Sequence, residues 1–415
     1  MIAAGAGPVE ALKRATGFEA QGSPVGNVTL GRGRAGPQAV AVAFVENRLA
    51  SGSLGKAEVN AMVPVLEDCA RSRTPLVLYL DSAGARVSEG LVALGAYRRL
   101  FAAAVSLAAS GAPIAAVLGR NCYGGASMLA LLAGMRLFSA NTQLAMSGPA
   151  ILASAAGVSA LDETFRAMAE ATLGTASRVK AAPANTPWIP ETDLEAWLAQ
   201  ALAPIAKPWT SLHQRHVALK ARLGAAETRA PEAVRRKDLD RLYPKGYEVA
   251  DAGGLFTGRA VRDEGESPVL GLVGRAPVGA DRAWRFAEAA WQMARTPPAR
   301  LDVLLDCESH AARLDDERIV LSEYVVDMGF ALSALAARGT RVELTVLGRA
   351  GGGVYVALAA PAARIRTVHG ATDIQVLPGS AVASILGESD EAKADIEEYR
   401  RSGVADEELK LGLVP

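Results

Sequence analysis

Histidine, cysteine and aromatic residues are scarce in this 415-residue chain, which has only 4 His, 3 Cys and 5% aromatic residues. The cysteines, Cys69, Cys122 and Cys307, are odd in number and widely spaced, which argues against a disulfide framework and against a zinc knuckle. No group of His, Cys, Asp and Glu has metal-ligand spacing. The sequence therefore predicts no metal site.

Net charge is also absent, because 44 Lys and Arg balance 44 Asp and Glu. The chain has no long-range field that would attract nucleic acid or an anionic membrane, so an anionic ligand must be held by a local site. The N-terminus lacks the basic region and the long apolar core of a signal peptide. We expect a cytoplasmic protein that binds neither nucleic acid nor membrane.

Two uncharged stretches, residues 100–119 and 137–161, raise the question of a membrane span. Both contain Gly, Pro and Ser, and both are rich in Ala rather than in Leu, Ile and Val. The first divides at Ser110 and Gly111 into a helix followed by a strand. We interpret both stretches as core segments of a folded protein.

The most informative feature is a duplication, in which residues 301–353 repeat the pattern of residues 75–125. Each copy has an apolar strand ending in Asp, at Asp81 and Asp306, followed by a polar loop, an amphipathic helix and a second strand ending in Leu-Gly-Arg. Strands joined by crossover helices run parallel, so the sequence predicts duplicated α/β domains. We expect an N-terminal domain, a helical and charged linker, and a C-terminal domain, over residues 1–205, 206–250 and 251–415.

Residues 31–36 match the G-x-G-x-x-G pattern of dinucleotide-binding sites. The context differs from that of such sites, because an alternating apolar run follows at residues 39–45 where a long helix should open. We therefore interpret residues 25–45 as two strands joined by a glycine-rich turn.

A glycine pair follows the second strand of each copy, at Gly124–Gly125 and at Gly352–Gly353. Glycines at a strand-to-helix turn let a carbonyl approach the backbone, and the first amides of a helix have no intrahelical partner. Such a turn can stabilise an oxyanion, although close helix packing would also use glycines. Recurrence at matched positions favours two oxyanion holes, formed by Gly124 with Gly125 and by Gly352 with Gly353.

Several motifs resemble those of a known family. Residues 80–90, LDSAGARVSEG, resemble the D-S-G-G-A-R-x-x-E-G loop of acyl-CoA carboxylase carboxyltransferase subunits, and residues 51–55 resemble a G-G-S-L/M-G segment of the same proteins. Two segments resemble the β subunit of biotin-independent malonate decarboxylase, and two are similar to its γ subunit. These segments are residues 122–125 and 146–150 for the β subunit, and residues 347–353 and 376–385 for the γ subunit.

The resemblance implies a crotonase-like spiral fold and the decarboxylation of a malonyl thioester. It implies a substrate carried on the phosphopantetheine of an acyl carrier protein or of CoA, with no bound cofactor and no biotin. The first hole would hold the enolate oxygen, and the second would hold the carboxylate or the released CO2. It also implies a homodimer, with sites between the N-half of one chain and the C-half of the other, and acyl carrier protein as partner.

Other candidates have both a functional and a structural interpretation. Cys122 could protonate the carbanion or be a small buried apolar residue. Tyr123 could donate a hydrogen bond or form a wall of the thioester channel. Glu89 resembles an acid/base group but could brace its loop, and His310 could move protons.

The residues expected to bind substrate lie in the loop after the first strand and around the later turns. They are Ser82, Ala83, Gly84, Arg86, Arg120, Ser147 and Gly148. Arg86 and Arg120 could hold a phosphate or a carboxylate, or form structural ion pairs. Ser147 could bond the substrate, or cap a helix that begins near Pro149.

The chain departs from the family pattern in four ways. Its two halves are joined, Ala83 replaces a glycine, and the loop after Asp306 has lost its glycines. Of a Gly-Gly-Lys-His-Arg-like run only Gly174 and Arg178 fit. A biotin-dependent carboxyltransferase is therefore an alternative, and so is a non-catalytic scaffold within a larger complex.

Overall fold

The computed structural model describes residues 7–158, 161–224, 236–263, 265–386 and 394–411. They form two compact units, and each unit takes a short segment from the other half of the sequence. The first unit contains the described residues of Met1–Arg86, Arg99–Ser211 and Arg313–Ser322, and the second those of Val87–Arg98, Leu212–Ala312 and Glu323–Pro415. The charged run expected in the linker over residues 206–250 lies partly outside the described residues, at 225–235.

The first half of the chain alternates strands and helices, with two short 3-10 helices at Ala50–Gly52 and Val87–Glu89. In chain order the other elements are α1 (Pro8–Thr16), β1 (Glu19–Ala20), β2 (Val28–Ala35), β3 (Gln38–Val45), α2 (Lys56–Ser72), β4 (Leu76–Ser82), α3 (Gly90–Ala109), β5 (Ile114–Tyr123), α4 (Gly125–Leu132), β6 (Met135–Phe138), β7 (Gln143–Ala145), α5 (Pro149–Ala155), α6 (Glu163–Leu173), α7 (Thr175–Ala181), β8 (Asn185–Pro187) and α8 (Leu194–Ala201).

The second half repeats this alternation. Its elements are α9 (Pro208–Lys220), α10 (Arg236–Leu242), β9 (Tyr247–Asp251), β10 (Leu255–Arg262), β11 (Gly265–Leu272), α11 (Ala280–Met293), β12 (Arg300–Leu305), α12 (Leu314–Arg318), α13 (Leu321–Ala336), β13 (Arg341–Val346), β14 (Arg349–Gly351), α14 (Gly352–Ala359), β15 (Arg364–Val368), β16 (Asp373–Gln375), α15 (Gly379–Leu386), α16 (Ile396–Ser402) and β17 (Glu407–Leu409).

Each unit is built on one large sheet. In the first unit the strand order is β1-β2-β3-β4-β5-β6-β8, and β7 pairs with β5. In the second unit the order is β17-β15-β13-β12-β11-β10-β9. An antiparallel hairpin, β2–β3 or β10–β11, leads into parallel strands in both units. The α/β class and the duplication expected from the sequence are confirmed.

The β2–β3 hairpin confirms the interpretation of the glycine-rich segment. Gly31 lies within β2, where a Cβ would collide with the carbonyl oxygen of Glu19. The hairpin turns at Gly36, whose φ of 57° is readily adopted only by glycine. These glycines therefore serve close backbone packing and a turn rather than a phosphate.

The two duplicated Asp residues make similar contacts, Asp81 with the residue after its Leu-Gly-Arg triplet and Asp306 with the last residue of its triplet. Oδ1 of Asp81 accepts a hydrogen bond from the amide of Asn121 at 3.0 Å, and Oδ1 of Asp306 accepts one from the amide of Arg349 at 2.9 Å. In both units the Gly of the Leu-Gly-Arg triplet packs against the Asp side chain, where a Cβ would clash. The two parts of the repeated pattern therefore form one structural feature.

The uncharged stretch over residues 100–119 divides as expected, because α3 ends at Ala109 and β5 begins at Ile114. One helical stretch among the described residues, Val87–Ala109, joins the second 3-10 helix to α3 and has the length and composition of a membrane span. Its most apolar 18 residues have a mean hydropathy of 1.4, and 67% of them are buried inside the protein. The second stretch forms β6, β7 and α5, and its residues 159–160 lie outside the described residues.

A buried histidine joins three helices of the second unit. Nδ1 of His216 in α9 lies 2.6 Å from Oδ2 of Asp327 in α13, and Nε2 lies 2.6 Å from Oε2 of Glu288 in α11. The ring also stacks on Trp284. Burial, the largest influence, lowers the pKa of His216, but the two carboxylates together raise it above its ordinary value.

We expect His216 to stabilise the folded protein at pH 6 and to lose this effect as the pH rises. Because its pKa is higher in the folded state, its contribution is complete below the unfolded pKa of about 6.5 and disappears as the pH passes the folded pKa. Urea unfolding from pH 6 to 9 should therefore give a difference in free energy between wild type and His216→Gln that shrinks as the pH rises, until only the contribution of the ring contacts remains. His213→Gln, which removes only ring contacts, should keep the wild-type pH dependence. A difference between wild type and His216→Gln that is independent of pH would contradict this.

Candidate functional site

In the first unit the loop after β4 packs against the start of α4. A Cβ at Gly84 would lie 2.9 Å from the amide nitrogen of Gly125 and 2.7 Å from the carbonyl oxygen of Tyr123. Gly84 has a φ of 93°, which glycine adopts at little cost. Gly84 therefore packs directly on the backbone of the turn, where a side chain would collide with the Gly125 amide.

The Gly125 amide is the first of α4 and has no acceptor within the helix. The Gly124 amide, in contrast, donates to the carbonyl oxygen of Ala145 at 3.1 Å. Gly124 is therefore unavailable as a donor, and the expected pair of Gly124 with Gly125 is corrected to Gly125 alone.

A second donor comes from the loop after β4, at Ala85. Leu54 pairs with this loop through the carbonyl of Gly84 and the amide of Arg86, at 2.8 and 2.9 Å. In a parallel ladder the residue between those two groups directs its own amide to the opposite side. Leu54 follows β3 on one flank of β4, so the Ala85 amide faces the flank of β5 and α4. Ala85 was not among the residues expected from the sequence, although it lies in the loop of residues 80–90 that the family motif covers.

The loop after β12 in the second unit repeats this backbone. Ala85 and His310 form the same isolated parallel bridge in their respective units. The position of Gly84 is therefore taken by Ser309, whose φ of 129° is a conformation that residues with a side chain rarely adopt. The loop after β12 therefore keeps the backbone conformation of the loop after β4, although it has no glycines.

Ser309 gives the second turn a different chemistry from the first. Its Oγ lies where a Cβ on Gly352 would point, and it is 3.1 Å from Nδ1 of His310. Burial lowers the pKa of His310 to about 4, so this imidazole is neutral at pH 7. The Gly352 amide donates to the carbonyl oxygen of Val376 at 3.2 Å, which leaves Gly353 as the donor of the expected pair. The second unit thus has a hydroxyl and an imidazole at the positions where the first unit has Gly84 and Ala85.

The expected substrate residues of the β4 loop mainly shape that loop. The buried Oγ of Ser82 accepts a hydrogen bond from the Gly84 amide at 3.1 Å, and the Ala83 amide donates to the Ser51 carbonyl at 2.9 Å. Ser82 and Ala83 therefore fix the backbone conformation of the loop that carries the Ala85 amide.

The two arginine candidates differ in their surroundings. Arg86 pairs with the buried carboxylate of Glu58 and donates to the Ser53 carbonyl at 2.8 Å. Burial raises the pKa of Glu58, but the hydrogen bonds from Arg86 and from backbone amides, together with the charge of Arg86, outweigh it, and the pKa lies below its ordinary value. The contacts of Arg86 therefore favour its role in a structural ion pair over the binding of a phosphate or carboxylate. Arg120 is exposed, and its role stays a prediction.

The remaining candidates surround the turn. Cys122 is fully buried, and burial raises the pKa of its thiol. Tyr123 donates its hydroxyl proton to Gln143, and its ring lies 3.4 Å from the Cβ position of Gly148. α5 begins at Pro149 as expected, but its N-cap is Gly148 without a side-chain bond, so Ser147 does not cap it. Within the described part of the chain no cluster of His, Cys, Asp and Glu could hold a metal ion.

Comparison with known families places one known domain in this chain, because residues 7–172 match the model described as the carboxyl transferase domain. The methylmalonyl-CoA carboxyltransferase 12S subunit of Propionibacterium freudenreichii subsp. shermanii is 28% identical over 134 residues, or 32% of this chain and 25% of the relative. The acetyl-coenzyme A carboxylase carboxyl transferase subunit beta 1 of Roseiflexus castenholzii is 39% identical over 84 residues, which are 20% of this chain and 28% of the relative. The matched stretches thus span about a quarter of these relatives.

Two solved structures are also similar to this chain. A transcarboxylase 12S hexamer structure has a TM-score of 0.40 and 19% identity, covering 97% of this chain and 86% of that one. A Pseudomonas malonate decarboxylase hetero-tetramer in complex with malonate has a TM-score of 0.42 and 25% identity, and the match covers 49% of this chain and 77% of that one.

Proposed function

Because residues 7–172 match the carboxyl transferase domain, we propose that the chain removes CO2 from a malonyl thioester and leaves an acetyl thioester. The observation that carries this proposal is the Gly125 amide, which is the first of α4, has no acceptor within its helix and lies beside the Gly84 backbone. When the bond to the carboxylate breaks, its electron pair moves into the thioester carbonyl and negative charge develops on the oxygen. Fixed amide donors at Gly125 and Ala85 would stabilise that charge. A proton added to the enolate carbon then completes the acetyl group.

The residues around the first turn support this reaction. Cys122, Ala126 and Met146 are each at most 2% exposed, so the wall behind the turn is dry and apolar. An apolar wall solvates a carboxylate poorly but does not destabilise neutral CO2. As CO2 leaves, the negative charge therefore moves from the poorly solvated carboxylate to the thioester oxygen beside the amides.

The carrier and the assembly belong to this proposal and rest on the resemblance. We propose a phosphopantetheine-linked substrate, carried by acyl carrier protein or by CoA, and no biotin. We further propose a cytoplasmic homodimer, with acyl carrier protein as the partner.

A biotin-dependent carboxyltransferase is the second candidate, and the carboxyl transferase domain match favours it. Such an enzyme would need a second open site for the ureido oxygen of carboxyl-biotin. At the position of Gly84 the second unit has Ser309, whose Oγ lies against Gly352 and beside His310, so a side chain occupies this turn where the first unit has none. Ser309 therefore favours decarboxylation without biotin.

Acyl-group mass spectrometry tests the proposal. The purified chain is incubated with malonyl-acyl carrier protein and, separately, with malonyl-CoA, without biotin. We expect the malonyl group of at least one carrier to lose the mass of CO2. An unchanged malonyl group on both carriers would refute the proposal. Transfer of a carboxyl group from carboxyl-biotin in the same preparation would then support the carboxyltransferase, and its absence the scaffold.

A further inference from the structure

A segment from the second half of the sequence completes the first unit behind Gly124 and Gly125. α12 and the residues after it belong to the first unit. Oε1 of Glu317 in α12 accepts a hydrogen bond from the Ser147 amide at 2.9 Å. Ser147 directly follows Met146, whose carbonyl oxygen lies 3.9 Å from the Cβ position of Gly124.

The same segment contacts the other side of the turn. The Oγ atoms of Ser322 and Ser127 lie 2.7 Å apart, and Ser127 also donates to the Gly124 carbonyl at 2.7 Å. The segment thus contacts both sides of the turn, at Ser127 within α4 and at Ser147 before α5. Both contacts come from residues more than 160 positions away in the chain.

Glu317 forms a fully buried pair with Arg178. Nη2 of Arg178 lies 3.7 Å from Oε2 of Glu317, and both side chains are 0% exposed. Arg178 also donates from Nη1 to the Glu317 carbonyl at 2.7 Å and from Nε to the Leu144 carbonyl at 2.8 Å. The pair thus holds residues 144–147, which include the acceptor of the Gly124 amide. Oε2 of Glu317 has no hydrogen-bond partner among the described residues.

We propose that Glu317 and Arg178 are a positioning pair that sets the charge behind the oxyanion site, and that turnover is faster when Glu317 is neutral. The inference rests on the proposed function. A negative Glu317 opposes the charge that grows on the thioester oxygen, whereas a neutral Glu317 leaves the positive charge of Arg178 to favour it. Neither residue needs to touch the substrate for this effect.

Glu317 can change charge near neutral pH. Burial raises the pKa of Glu317 to about 7, against the lowering effects of Arg178 and of the Ser147 and Met146 amides, and the charge of Asp316 adds to the rise. On α6, which packs against α12, the charged side chains are exposed and face water. They are Glu163, Arg166 and Glu170.

The kcat for a malonyl thioester, measured from pH 5.5 to 8.5, tests the pair. In wild type we expect kcat to fall roughly tenfold as the pH rises through 7, with KM unchanged. Glu317→Gln should keep the value that wild type has at acid pH over the whole range. Asp315→Asn, an exposed change on the same helix, should behave as wild type. Asp316→Asn should move the inflection to lower pH, which keeps the test valid if Glu317→Gln does not fold.

Hydrogen exchange of the amides at residues 145–148 gives a readout without substrate. Replacing the carboxylate with an amide weakens the acceptor, so at pH 8 we expect faster exchange in Glu317→Gln and no change in Asp315→Asn. An active wild type with a Glu317→Gln profile that still falls through pH 7 would overturn the inference. No wild-type turnover at all would refute the proposed function instead, and unchanged exchange in Glu317→Gln would then refute the contact as well.

Discussion

Replacing Gly84 with serine is expected to lower the turnover of a malonyl thioester about 100- to 1,000-fold, the usual cost of losing one oxyanion donor. The new side chain would lie against the Gly125 amide, since the Cβ position is 2.9 Å from its nitrogen. The fold should persist, because Ser309 occupies the matching position of the second unit with a φ of 129°. Steady-state kinetics measure the turnover of each protein, and a circular dichroism spectrum checks that it is folded.

Gly36→Ser is the matched control for Gly84→Ser. Gly36 also has a positive φ, 57°, and a Cβ there would have no neighbour within 4 Å. It therefore imposes a similar backbone strain of roughly 1–3 kcal/mol without covering an amide. We expect Gly36→Ser to retain wild-type turnover. A folded Gly84→Ser protein with full activity would show that the Gly125 amide is not part of the site.

Replacing Arg178 with methionine is expected to lower the free energy of unfolding by about 3–5 kcal/mol at pH 8. The change leaves the Glu317 carboxylate buried without its charge partner, and it removes the donors to the Leu144 and Glu317 carbonyls. At pH 5 the loss should be smaller, since Glu317 can then be protonated. Urea unfolding at both pH values measures the difference.

Two further variants separate the buried pair from a general effect of losing an arginine. Arg318→Met removes an exposed pair with Asp315 and should cost less than about 0.5 kcal/mol. In the double variant Arg178→Met with Glu317→Met, no unpaired charge remains, so part of the stability should return. A double variant that recovers no stability relative to Arg178→Met would contradict a direct Arg178–Glu317 interaction.

The duplication made the fold class predictable from the sequence. Strand, loop, helix and Leu-Gly-Arg strand recur in order, and both Asp81 and Asp306 bond the backbone beside the triplet, as their repetition suggests. The G-x-G-x-x-G segment was also interpretable, because strand alternation rather than a helix follows it. Local periodicity carries such information, since the spacing of apolar residues identifies each strand or helix within its own segment.

The details of the site were less accessible. Which amides of a glycine turn remain available depends on partners from other strands, and Ala145 and Val376 take those of Gly124 and Gly352. Pairs such as Arg178 with Glu317 join residues 139 positions apart, which no periodicity reveals. The loss of glycines after Asp306 suggested degeneration, whereas the backbone is retained with serine in a strained conformation.

The most direct measurement of the central claim, that the first unit stabilises a thioester enolate, is the isotopic composition of the product formed in D2O. Malonyl thioester is incubated with wild type, Gly84→Ser and Gly36→Ser, and the acyl group is analysed by mass spectrometry. We expect wild type and Gly36→Ser to yield an acetyl group carrying a single deuterium, and Gly84→Ser to leave the malonyl group almost unchanged. A malonyl group that persists in all three proteins, or equal product from Gly84→Ser, would contradict the claim.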